Sequence, residues 1–205
     1  MRLAQILAAA ALAVAPVVAA DRHAELAAAF GLRSGASLDS DTPGIAGAEA
    51  GASVSWGLSA GWRARPDGWL EVLLDHQTLA FSQTRGTGSH RFDFGVDYLQ
   101  LGGGYEPPAK GTRRYVTIAA GLGFLGAESG SLSRAAGLSG SLGAGFKVPV
   151  GDKTLLRLEA RGWAILTGGA VDVACGPGCR LSLGGSGFWQ LGVRAAIAYC
   201  PSGSR

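Results

Sequence analysis

Charge is scarce in this chain: Asp, Glu, Lys and Arg make up 16% of its 205 residues, and lysine occurs only at Lys110, Lys147 and Lys153. The arginines are scattered, so the formal net charge of +3 builds no coherent basic surface, and a nucleic-acid partner is excluded. Also missing, beyond the first twenty residues, is any apolar run of the roughly 18 residues that a membrane helix requires. Cysteine is limited to three positions. None lies near residue 20, which argues against a lipid anchor. Cys175-Gly176-Pro177-Gly178-Cys179 brackets a tight turn, and outside the cytoplasm an oxidised pair closing that loop would contribute about 2 kcal/mol on the chain-entropy estimate. Two thiols without a second ligand pair make a poor zinc site. Cys200 is left over near the end.

What the chain does have is grease and glycine. Hydrophobic residues account for 47% and glycine for 34 positions. Each glycine in a helix interior costs about 1 kcal/mol relative to alanine, whereas curved sheets accept glycine where strands bend or pack closely. Residues 1–20 carry a basic start at Arg2, an apolar run from Leu3 to Ala15, and the small residues Val18-Ala19-Ala20. They read as a secretory signal peptide, so residues 21–205 are expected to form a single domain.

Within that domain a two-residue alternation recurs. Leu138, Gly140, Leu142, Ala144, Phe146 and Val148 fall on one face, and Ser139, Ser141, Gly143, Gly145 and Lys147 on the other. Strand side chains point alternately to opposite sides of a sheet, so this sorting predicts one oily face and one small, polar face. Alternation and turn signals together predict eight strands, near 25–35, 50–64, 69–81, 91–106, 114–126, 137–149, 154–167 and 185–199. Short turns at 65–68, 107–111 and 150–153 alternate with longer loops near 36–49, 82–90, 127–136 and 168–184. That asymmetry predicts an all-β, eight-stranded, antiparallel up-and-down transmembrane β-barrel with its short-turn end and both termini on the periplasmic side.

The faces divide consistently. Val54, Trp56, Leu58, Ala60 and Trp62 share the outward parity with Leu70, Val72 and Leu74; so do Val116, Ile118 and Leu122, Leu156, Leu158 and Leu166, and Trp189, Leu191, Val193 and Ile197. Arg63, Glu71, Asp75, Arg157, Glu159, Arg161, Gln190 and Arg194 share the other face. An eight-stranded barrel has an interior just wide enough for side chains, so these charges are expected as a paired polar core rather than as catalytic groups. Trp62, Tyr105 and Tyr199 fall near the short-turn ends, where amphipathic rings suit the headgroup level; Phe81, Phe124 and Trp189 fall nearer the opposite ends. The fourth strand resists assignment. Phe92, Phe94, Val96 and Tyr98 share one parity, while Leu99, Leu101, Gly103 and Tyr105 share the other. Either a bulge near Asp97 shifts the phase or the upper part projects beyond the bilayer.

The stretches Phe30-Gly31-Leu32-Arg33, Trp69-Leu70-Glu71-Val72-Leu73-Leu74, Val96-Asp97-Tyr98-Leu99-Gln100-Leu101-Gly102-Gly103, Leu156-Arg157-Leu158-Glu159-Ala160-Arg161-Gly162 and Gly187-Phe188-Trp189-Gln190 resemble the proteobacterial outer-membrane β-barrel domain family, related in architecture to OmpA and OmpX. The resemblance implies a barrel in the cell outer membrane, in contact with membrane lipid and lipopolysaccharide and inserted by the barrel-assembly machinery. It implies no catalytic activity. Barrels of this kind usually end on an aromatic residue, whereas residues 200–205 follow Tyr199 here.

Two motifs tempt otherwise. Gly121-Leu122-Gly123-Phe124-Leu125-Gly126 has dinucleotide-binding spacing, but it lacks the following helix and the acidic residue about 20 positions on. No cofactor is expected. His76 has the outward parity of Leu74 and belongs near the loop-side rim, where a lipid-A-modifying barrel enzyme could place a base. Such an enzyme needs a nucleophile and an orienting acid, with Ser82, Asp93 and Ser89 as candidate neighbours. A rim histidine at the membrane interface is the simpler reading; His23 belongs to the N-terminal lead and His90 to a loop. The sequence thus predicts a non-enzymatic, monomeric, interfacial barrel. A lipid-modifying enzyme, a narrow pore or small-ligand channel, and a soluble lipocalin-like barrel are the alternatives.

Overall fold

The computed structural model describes residues 24–38, 48–85, 88–127, 135–166, 171–176, 179–183 and 188–201. The signal segment and His23 lie outside the described residues, as do parts of each long loop. Twelve strands are present among the described residues: β1 (Ala24–Arg33), β2 (Ala36–Leu38), β3 (Ala48–Ala50), β4 (Ser53–Arg65), β5 (Gly68–Arg85), β6 (Gly88–Tyr105), β7 (Arg113–Ala127), β8 (Ala135–Pro149), β9 (Thr154–Leu166), β10 (Val171–Gly176), β11 (Cys179–Leu183) and β12 (Phe188–Tyr199). Eight of them form the barrel wall, in the order β1-β4-β5-β6-β7-β8-β9-β12, and antiparallel pairing of β12 with β1 closes it.

The wall turns its apolar residues outward. Leu142, Ile118, Leu191, Ile197 and Trp189 are all exposed, the last at 70%. In a water-soluble protein so much apolar surface would be anomalous; on a lipid-facing wall it is required. The soluble lipocalin-like alternative needs the opposite sign and is set aside by this placement. Glycines on the inward face make room for the large side chains that fill the lumen. A Cβ at Gly104 would fall 2.2 Å from the Trp69 indole, and one at Gly123 would fall 2.5 Å from Ile165. Gly121 and Gly123 thus sit in the middle of β7 for packing reasons, and no nucleotide-binding turn exists there.

The short turns follow their chemistry. Pro66 and Asp67 connect β4 to β5, with Pro at the second position of a four-residue turn. In the β6–β7 connection Gly111 has φ +80°, a conformation that suits glycine.

The long-loop side differs from expectation. The segment 82–90 was expected as a loop, yet β5 runs to Arg85 and pairs Ser82 with Arg91 and Arg85 with Gly88. Its polar sequence hides a ladder, because a hairpin standing in water needs no apolar outer face. Segments 36–49 and 168–184 likewise carry the short pairs β2–β3 and β10–β11, and β3 joins β5 through Glu49↔Ser82 and Ala50↔Phe81.

No bulge shifts the fourth wall strand. β6 keeps one continuous register with β5 from Gly88 to Tyr105 and with β7 from Phe94 to Tyr105. Its parity conflict has a different cause. Low on the strand, the outward residues Leu99 and Leu101 are exposed and apolar, whereas higher up the inward residues Phe94, Val96 and Tyr98 are buried and apolar. Phe81 is corrected for the same reason. Its ring is fully buried inside the barrel rather than facing the outer headgroups.

Candidate functional site: a filled lumen and a histidine on its rim

The lumen is filled in layers. At the short-turn floor Glu106 accepts from Arg113 Nη1 at 2.8 Å and Arg63 Nη2 at 2.9 Å, with Lys147 Nζ 3.1 Å away. Burial raises the Glu106 carboxyl, but Lys147 and Arg113 outweigh it and hold the group below the usual carboxylate range. Lys147 also donates to Glu25 at 2.8 Å, and Arg157 donates to the other Glu25 oxygen at 3.0 Å. Lys147 lies 4.4 Å from the Trp69 ring centroid, an added cation–π contact.

Above the floor the network tightens. Arg161 donates to Glu71 at 3.1 Å and to Glu159, and Arg157 reaches both carboxylates at 3.5 Å. Tyr115 donates its hydroxyl to Glu159 at 2.6 Å, and Thr117 donates to Glu71 at 2.9 Å. Arg194 bridges Glu159 Oε1, 2.8 Å away, and Asp75 Oδ2, 3.2 Å away. Arg33 then meets Asp75 at 3.2 Å. Each carboxylate therefore touches at least one base, which is what makes buried charge tolerable at this depth.

Next comes a layer of amides and hydroxyls. Gln190 donates to Gln77 at 2.6 Å and accepts from Tyr98 at 3.2 Å, while Ser141 donates to Gln100 at 2.7 Å. Arg33 closes this layer, its guanidinium 4.0 Å from the Trp163 ring centroid and 5.2 Å from that of Tyr98. Its Nε and Nη1 have no hydrogen-bond acceptor; the aromatic faces take that role. Above it Leu79, Phe81, Phe94, Val96, Leu125, Ile165 and Phe188 pack with Trp163 and Tyr98 into an apolar plug.

Every charged residue read from the sequence as interior lies in these layers. Arg63 is the outlier, at the floor and one-third exposed. Sequence reading missed Glu25, Arg33, Glu106 and Arg113 as partners. Glu25 and Arg33 share the inward parity of Ala27 and Ala29, a signal blurred by the small alanines between them. Glu106 lies just past the end of β6, where strand periodicity says nothing.

Tyr105 and Tyr199 are about half exposed on the outer wall at the short-turn end, and Trp62, less exposed, lies near the same end of β4. Cys175 and Cys179 lie on β10 and β11, whose backbones pair Gly176 with Cys179; their side chains lie outside the described residues. Cys200 has a definite place. Its backbone N–H donates to Lys153 at 2.8 Å, and its side chain is buried with Ala27, Ala29, Leu155 and Ala198. Burial, with the nearby Glu25 carboxylate, pushes its thiol up to about 11. It acts as a small apolar stopper.

On the outer wall His76 does not meet Ser82 or Asp93. Its Nδ1 lies 2.6 Å from Asp97 Oδ1 on the paired strand, and its Nε2 lies 3.2 Å from Thr78 Oγ1 on its own strand. Trp56 packs beside the imidazole with ring centroids 5.3 Å apart. Ser89 and His90 side chains lie outside the described residues.

No protein-family model and no curated protein sequence matches this chain. Among solved structures the chain is similar to Neisserial surface protein A, with a TM-score of 0.57 and 13% identity over 88% of this chain and 97% of that one. It is also similar to the outer membrane protein OprG from Pseudomonas aeruginosa, with a TM-score of 0.51 and 12% identity over 86% of this chain and 96% of that one. The closed wall, the outward apolar band and these likenesses agree with the OmpA/OmpX-like resemblance: the chain has the fold of the eight-stranded outer-membrane β-barrels.

Proposed function

We propose that the protein is exported by a cleaved signal peptide into the cell outer membrane, where it works as a sealed barrel whose lumen and loops do no catalysis and whose role is interfacial. The observation that carries this reading is the lumen itself. Layers of paired charge, amides and apolar rings occupy it from Glu106 to Phe81, and the void beside Arg157, Glu159 and Arg194 measures about 10 Å³, about the space of one water. Ions need a continuous wet path, and among the described residues these layers stand across the lumen, which supports a sealed barrel. The interior carboxylates are held by bases, so they are occupied as structural partners.

On this reading lipid and lipopolysaccharide surround the wall, the barrel-assembly machinery inserts the chain, and the hairpins β2–β3, β5–β6 and β10–β11 are the parts offered outside the cell. The monomer is sufficient, because closure leaves the wall no unpaired edge. Two measurements test it together. Purified protein in planar bilayers should give no steady conductance, and cell fractionation should place it in the outer membrane with heat-modifiable electrophoretic migration. A reproducible open-channel current contradicts the sealed lumen, and recovery in the detergent-free periplasmic fraction contradicts the location.

A further inference from the structure

One cluster on the outer wall is left unused by a sealed interfacial barrel. Asp97, His76 and Thr78 form a continuous relay: Asp97 Oδ1 to His76 Nδ1 at 2.6 Å, then His76 Nε2 to Thr78 Oγ1 at 3.2 Å. In the tautomer that carries its proton on Nδ1, His76 donates to Asp97 and its Nε2 accepts from the Thr78 hydroxyl, the arrangement of an acid, a base and a hydroxyl nucleophile. An ordinary surface ion pair between His76 and Asp97 would not need a hydroxyl aligned on the second ring nitrogen.

The placement selects a substrate class. Below the relay the outward residues are apolar: Leu74 and Leu99 on β5 and β6, and Trp56 and Leu58 on β4. Above it, past the small exposed Ala80, they are polar or charged: Ser82, Arg91 and Asp93. Thr78 therefore stands at the boundary where hydrocarbon gives way to headgroups, on the lipid side of the wall. That is the depth at which the ester linkages of outer-leaflet lipids lie. A fatty acyl chain would run down the wall over Trp56, Leu58, Leu74 and Leu99, leaving its ester carbonyl beside Thr78.

The neighbouring ladder is interrupted at the same level. β4 pairs with β5 up to Ser55↔Gln77, and β3 resumes at Ala50↔Phe81, so residues 51–54 stand opposite only 78–80. Gly51 and Ala52 lie outside the strands and are exposed, and a Cβ added at Gly51 would meet no atom within 4 Å. The extra residue opens the outer wall beside Thr78.

We infer that Thr78, His76 and Asp97 form a lipid-facing site that hydrolyses ester-linked fatty acyl chains of outer-leaflet lipids. Thr78 Oγ attacks the ester carbonyl carbon as its proton passes to His76 Nε2. The carbon–oxygen bond to the lipid alcohol breaks, and that oxygen takes the proton from Nε2, leaving an acyl-threonine. Water then attacks the acyl carbon, giving a proton to Nε2; the acyl bond to Thr78 breaks, Thr78 recovers the proton, and a free fatty acid leaves. The balance is ester plus water to acid plus alcohol, with no other reactant. Asp97 is a positioning residue that fixes the imidazole tautomer.

The test uses the full-length barrel folded into vesicles of phosphatidylethanolamine, and separately into vesicles containing purified lipopolysaccharide, with released fatty acid read by mass spectrometry. Wild type should release fatty acid from at least one of the two, and the lipid that loses a chain names the source. Thr78→Val and His76→Ala should lower release about a thousandfold, Thr78→Ser should retain it, and a fluorophosphonate should mark the peptide holding Thr78 in wild type but not in His76→Ala. Heat-modifiable migration of each variant shows that the barrel is folded. Intact lipid in both vesicle types with folded wild type, or undiminished release by folded Thr78→Val, overturns the assignment. Neither outcome bears on the sealed lumen, which conductance tests alone.

Discussion

The lower and upper halves of hairpin β5–β6 are built inside out with respect to each other. Below His76 and Asp97 the outward residues are Leu70, Leu74, Leu99 and Leu101, and the inward ones include Glu71, Asp75 and Gln100. Above that level the outward residues are Ser82, Arg91 and Asp93, and the inward ones are Leu79, Phe81, Phe94 and Val96. The backbone ladder is unbroken across the change. What reverses is the solvent: lipid outside below, water outside above. A wall in hydrocarbon must put its polar groups inside and pair them, while a hairpin in water must put its apolar groups inside and pack them. The same strands obey both rules in turn, and the switch marks the outer membrane boundary.

The largest expected effect comes from breaking the lower half. Arg161→Ala leaves Glu71 and Glu159 short of a partner deep in the lumen, and removing one member of such a pair costs about 3–5 kcal/mol. Urea unfolding in lipid vesicles should show a loss of that size. Near-zero loss would mean that the ion network is not what holds the lower lumen. In the upper half Phe94→Ala should cost about 3 kcal/mol through lost burial and the cavity left between Phe81 and Val96, while Asp93→Ala, one residue away and facing water, should stay within about 0.5 kcal/mol. Equal effects at both positions would erase the inside-out contrast.

Glu106 gives a smaller, pH-dependent effect at the floor. Its folded carboxyl is held below its unfolded value, so its pairing stabilises the barrel above the unfolded value and the contribution is lost as pH falls through the folded one. Glu106→Gln should destabilise by about 1–2 kcal/mol at neutral pH and by much less in acid. The two unfolding curves should converge on acidification, and a constant gap would remove the charge from the explanation.

Much of this was legible in the sequence. Strand count, short turns and the outward leucines follow from period-two sorting, and Arg157-x-Glu159-x-Arg161 announces an inward charged row. The parity conflict on β6 was visible too, but its meaning was not. Periodicity reports that faces differ and never which solvent each one meets, so a change of solvent partway along a strand looks like a slip of register. Polar hairpin tips such as Thr84-Arg85-Gly86-Thr87-Gly88 carry no face contrast and so read as loops. The Asp97–His76–Thr78 relay escaped because two of its members meet only through strand pairing across 21 positions. His76 was singled out by parity, while register alone identifies its neighbours.

Nitroxide labels stepped along β6 test the central claim most directly, with collision rates to oxygen and to a water-soluble nickel chelate read at each site in lipid vesicles. Labels at Leu101 and Leu99 should favour oxygen, labels at Asp93 and Arg91 should favour the chelate, and labels at Phe94 and Val96 should be shielded from both. Chelate access at Leu101, or lipid-like behaviour at Asp93, would contradict an inside-out strand crossing the membrane boundary at Asp97.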